Sequence, residues 1–123
     1  MKLKSNADVL RFAKLTSDNN NISLSTYCFG FYVALVRVVF EKGFYDNQTG
    51  LFVLYCTPSG LAEFLPDYPL KRFSPLLSQL AKSGLLTYDS HVTVDPDLVC
   101  GRKPFKRSKP LKLLIDLSAL LEE

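Results

Sequence analysis

Apolar residues at Val9, Leu10, Phe12, Ala13 and Leu15 predict a short amphipathic helix over Asn6 to Leu15, followed by a polar loop from Thr16 to Ser23. Ser23 or Ser25 can accept the free N–H groups of a second helix. That helix runs to about Lys42 and stops at Gly43, where glycine tolerates a left-handed terminus. Its apolar side chains, from Tyr27 and Phe29 through Val39 and Phe40, surround the axis, the signature of a helix at the centre of a core. The β-branched content would also suit a strand, but so long a run without a turn signal favours helix. Asp46 to Gly50 is a turn, and Leu51 to Cys56 reads as a short buried strand. Thr57 as cap and Pro58 as first residue start a helix that ends at Leu65, before the stiff corner Pro66-Asp67-Tyr68-Pro69.

The next segment, Leu70 to Ser83, divides cleanly on a helical wheel. Phe73, Leu76, Leu77 and Leu80 share one side, while Lys71, Ser74, Pro75, Ser78 and Lys82 face the other, flanked by Arg72 and Gln79. Pro75 either kinks the middle of that helix or sits first in a shorter one capped by Ser74. In the shorter case Lys71 and Arg72 fall in the corner. Gly84 caps the C-terminal end. Leu85 to Tyr88 and His91 to Val94 then predict a hairpin turned at Asp89-Ser90, closed by Asp95-Pro96. Leu111, Leu114, Ile115, Leu117, Leu120 and Leu121 predict a final amphipathic helix beginning at Lys109-Pro110.

The expected class is mainly α with a small β-sheet (α+β), in three parts. These are an N-terminal helix and loop over 1–22, a core over 23–98, and a basic segment with a C-terminal helix over 99–123. Ser59 to Leu65, Leu76 to Leu86 and Thr87 to Val94, taken in order, resemble the winged helix-turn-helix superfamily of DNA-binding proteins, in the manner of phage, plasmid or bacterial regulators. The resemblance spans about Ser23 to Val94, and its most specific part is Leu77-x-x-Leu80-x-x-x-Gly84-Leu85-Leu86. It implies that Pro58 to Leu65 positions a recognition helix, Leu70 to Ser83, in the major groove of double-stranded DNA. Lys71, Arg72, Ser74, Ser78, Gln79 and Lys82 would then meet phosphates and base edges. The turn Asp89-Ser90 brings no cation to the tip of the wing.

Charge adds to that picture. The net charge is +3, but Arg102, Lys103, Lys106, Arg107, Lys109 and Lys112 form a block of six cations with no acid among them, and without that block the chain stands at −3. A block of this kind suits a phosphate backbone, and with His91 it completes the set of candidate nucleic-acid contacts. His91, the only histidine, otherwise reads as a plain surface residue.

Composition narrows the remaining choices. With 47% hydrophobic and 22% charged residues in 123, the chain suits one domain with one core. No apolar run reaches the ~18 residues of a membrane span, and the first residues lack a signal-type apolar stretch. Cys28, Cys56 and Cys100 are odd in number and widely spaced, which points to a reducing, cytoplasmic setting without disulfides or zinc. No nucleophile motif, phosphate-cradling loop or metal-ligand spacing is present, so neither catalysis nor a cofactor is expected. The C-terminal helix either closes on its own chain or pairs two copies, and a homodimer is the favoured expectation. The alternative function is a winged-helix module that docks on a protein as an inhibitor or assembly factor.

Overall fold

The structure is a computed structural model that describes residues 2–90, 92–100 and 110–122. Among the described residues the chain is α+β, with four α-helices and a small, mostly antiparallel sheet. Helix α1 (Asn6–Asn19) is capped by Ser5, whose Oγ accepts the Asp8 N–H at 3.3 Å. It therefore runs on to Asn19, the first of three consecutive asparagines in the segment assigned above to a loop. Helix α2 (Thr26–Lys42) is capped by Ser25, which accepts the Cys28 N–H at 3.1 Å. Phe31, Tyr32, Leu35, Val36 and Val39 on α2 are all 0% exposed, as expected of a central helix. The Tyr32 hydroxyl finds no hydrogen-bond partner among the described residues, and burial holds it far above its ordinary pKa.

Gly43 ends α2 for a different reason from the one expected. Its φ of −88° is not left-handed. A Cβ there would lie 2.5 Å from the Val53 carbonyl oxygen and 2.6 Å from that of Val39, so a side chain is excluded by the close approach of two backbones. The chain turns back at once through β2 (Phe44–Asp46) and β3 (Leu51–Cys56), an antiparallel pair. The intervening turn is held by the Asp46 carboxylate, which accepts the Gln48 N–H and the Thr49 hydroxyl, each at 3.0 Å.

Helix α3 (Pro58–Phe64) starts as the sequence predicts, with Thr57 accepting the Gly60 N–H at 3.0 Å. After the corner, a 3-10 turn at Leu70–Arg72 leads into α4 (Phe73–Lys82). Pro75 thus falls in the first turn of α4, where its missing N–H would have had no helical partner. The helix is therefore the shorter one, but it starts at Phe73 and Ser74 does not cap it. At its far end Gly84 takes φ +84°, the Leu85 N–H donates to Leu80 O and the Gly84 N–H to Ala81 O, each at 3.1 Å. This double closure needs a left-handed residue, and glycine adopts it without strain.

Two expectations fail beyond this point. The hairpin over Leu85 to Val94 does not form, because Val92, Thr93 and Val94 lie outside any strand. Instead β4 (Thr87–Asp89) pairs antiparallel with β6 (Leu111–Ile115), matching Tyr88 with Leu113. A tight hairpin turn needs positive φ at its centre, and Asp89-Ser90 offers no glycine to supply it. The C-terminal amphipathic helix is likewise absent: its leucines build β6, a 3-10 turn at Ser118–Leu120 and β7 (Leu121–Glu122). Alternation decides the matter, since Leu113 and Ile115 are both 0% exposed and β6 lies between β3 and β4 in the sheet order β2-β3-β6-β4. The homodimer expected through that helix has lost the element it rested on.

A two-residue strand, β5 (Val99–Cys100), adds to β3 in parallel. The strand β1 (Lys2–Leu3) pairs with β7, so both ends of the described chain meet. One core runs through all three expected parts, joining Val9 and Ala13 to Leu61 and Leu77 and to Leu113 and Leu120. No helix among the described residues is long and apolar enough to cross a membrane.

Candidate nucleic-acid interface

The apolar side of α4 is Phe73, Leu76, Leu77 and Leu80, all buried, as the wheel predicts. Among the described residues, its other side is left open. Ser74, Gln79 and Lys82 are exposed and Ser78 is half-buried. Lys71 and Arg72 are exposed as well, but they stand in the 3-10 turn ahead of the helix. Between Leu70 and Ser83 there are three cations and no acid, so the open face is uniformly neutral to positive.

The surface around α4 has relief. A cleft of about 320 Å³ separates it from β4 and β6, lined in part by Leu70, Ser74, Tyr88 and Leu111. A second of about 420 Å³ lies towards the start of α2, lined by Ser25, Tyr27, Arg72, Pro75, Leu76 and Gln79. Between them the polar side of α4 is a ridge. A ridge one helix wide is the shape that enters a major groove.

What fixes the ridge is an aromatic stack that the sequence reading missed. The Arg72 guanidinium lies 5.2 Å from the Tyr27 ring centre, Tyr27 meets Tyr68 edge-on at 5.2 Å, and Tyr68 meets Phe31 at 5.2 Å. Phe31 in turn contacts Phe73, the first residue of α4, at 5.4 Å. Tyr68 is the corner residue, and burial, then Tyr27 and Asp67, raise its phenol above the ordinary value. It can lie so close to α2 because that helix carries Gly30, where a Cβ would come within 2.9 Å of the Tyr68 hydroxyl. The legible signal was a glycine inside an otherwise apolar helix, which marks a close approach.

Lys112 is the member of the basic block that the structure describes; it is half-buried on β6 with its ammonium 5.9 Å from the Tyr55 ring centre. His91, Arg102, Lys103, Lys106, Arg107 and Lys109 lie outside the described residues. By sequence, His91 falls between β4 and β5, and the five cations fall between β5 and β6. No group of three or more His, Cys, Asp or Glu side chains among the described residues is arranged to hold a metal ion. No protein-family model, curated protein or solved structure matches this chain.

Proposed function

We propose that this chain is a DNA-binding regulator of transcription or replication, built as a winged helix whose wing is the long connection between β4 and β6. The observation that carries this reading is the open, acid-free polar ridge of α4, held between two clefts. The strand order supports it too. A strand precedes the helix pair α3 and α4, β4 follows it, and β6 returns to lie between the two. This order is similar to that of a winged helix, with the wing taken as the connection from β4 to β6, within which β5 pairs with β3. The wing so defined contains five of the six clustered cations, and Lys112 follows in β6 itself. A wing taken there would carry the charge that Asp89-Ser90 lacks. Lys71, Arg72 and Lys82 then serve as phosphate contacts, and Ser74, Ser78 and Gln79 as base-facing groups.

The test is a salt titration of duplex affinity followed by fluorescence anisotropy. Neutralising Z phosphates gives a slope of about −0.9Z in log affinity against log salt. The triple replacement Lys103→Ala, Lys106→Ala and Arg107→Ala is expected to flatten that slope, while Ser78→Ala with Gln79→Ala changes sequence preference at unchanged slope. Negligible duplex affinity at physiological salt, with a defined protein complex that survives the triple replacement, would favour the protein-docking module instead.

A further inference from the structure

The three cysteines are not equivalent. Cys28 is buried within α2, in no strand. Cys56, the last residue of β3, and Cys100, the last of β5, are direct partners in a parallel pairing. Adjacent strands run about 4.8 Å apart, inside the span of roughly 4.4–6.8 Å between the Cα atoms of a disulfide. Partners in one parallel register also send their side chains to the same face. Cys56 is buried in the core and Cys100 is half-buried against it.

The two thiols differ in reactivity. Burial, then the neighbouring Cys100, pushes the Cys56 thiol up to about 12. Burial raises Cys100 as well, but the Lys42 ammonium acts in the opposite direction. Cys100 is thus the reachable and more readily ionised member, and Cys56 the shielded one.

We infer that Cys56 and Cys100 form an oxidation site, closed to an intramolecular disulfide by a small-molecule disulfide of the glutathione type. The Cys100 thiolate attacks one sulfur of the oxidised glutathione, breaking its S–S bond and releasing one glutathione thiol. The Cys56 sulfur, on losing its proton, attacks the Cys100 sulfur of the mixed disulfide and expels the second glutathione as a thiol. Two protein thiols are oxidised, one glutathione disulfide is reduced, and the two thiol protons end on the two glutathiones. The second step is slow near neutrality, because Cys56 is almost wholly protonated there. Its rate rises about tenfold per pH unit with the thiolate fraction. The bond would join β5 to β3 directly before Thr57, the cap of α3, and so stitch the sheet to the helix pair. None of this depends on the ligand of α4.

The experiment uses the full chain carrying Cys28→Ser, incubated with oxidised glutathione and then denatured and alkylated. The expected product is a monomer lighter by two hydrogens, with no titratable thiol and one peptide pair joining Cys56 to Cys100. Adding Cys100→Ser abolishes it. Were Cys28→Ser to fold poorly, the unaltered chain gives the same linkage with Cys28 recovered as the alkylated thiol. Two persisting thiols, glutathione left on Cys100, a bond involving Cys28, or crosslinked pairs of chains would each overturn the inference.

Discussion

The segments around α4 and β6 have similar raw material and opposite fates. Each is leucine-rich, each follows a proline-containing stretch, and each has apolar residues at helical spacing. In α4 the spacing holds: four side chains face the core and the polar side stays in water. In β6 a second rhythm overrides it, because Leu113 and Ile115 alternate into the core between two neighbouring strands. The difference lies in the surroundings. α4 satisfies its backbone within itself and is closed at its own end by Gly84, whereas β6 satisfies its backbone by pairing with β3 and β4, distant in sequence. A segment whose polar groups are satisfied locally can keep one face free for a partner. One placed at the centre of a sheet has both edges taken by its neighbours.

That contrast can be broken by experiment. The largest effect is expected at Leu113→Ala, which opens a cavity beneath α2 and should cost about 3 kcal/mol of stability by urea unfolding. A loss under about 1 kcal/mol would mean that β6 is peripheral after all. Gly84→Ala comes next, at about 1–2 kcal/mol, since alanine is strained at positive φ and its Cβ would meet the Asn20 amide at 3.1 Å. That amide also donates to the Ser83 and Thr16 carbonyls, so the substitution loosens the join between α1 and α4. Smallest of all is Gln79→Ala with Lys82→Ala, which should leave stability within about 0.5 kcal/mol while weakening duplex binding. Stability falling with affinity would show that the open face of α4 helps to hold the fold.

Much of the local structure could be read from single residues. Ser25, Thr57 with Pro58, and Gly84 mark helix ends through chemistry confined to one turn, and each performs the role expected. The buried side of α4 was equally legible, because its spacing matches the helix that formed. The misread parts depend on distant partners. β4 looked like half of a hairpin because its strand propensity was local, while its true partner begins more than twenty residues later. β6 looked helical because Leu111, Leu114, Ile115, Leu117, Leu120 and Leu121 fit that spacing, and only Leu113 falls outside it. The corner stack went unread for the same reason: Gly30 marks a close approach, but its partners Tyr27 and Tyr68 meet only in space.

The stack has a consequence for how this molecule can change over generations. The pitch of the exposed ridge is set from behind, by a missing side chain on another helix. A methyl group at Gly30 would press on the outer end of the Tyr68 ring, a part that can swing, and leave the backbone of the core where it is. The shift would pass to Tyr27 and Arg72 and so to the entry of α4. One substitution behind the ridge is therefore a fine adjustment of its angle, available to selection without rewriting the residues that the ridge exposes.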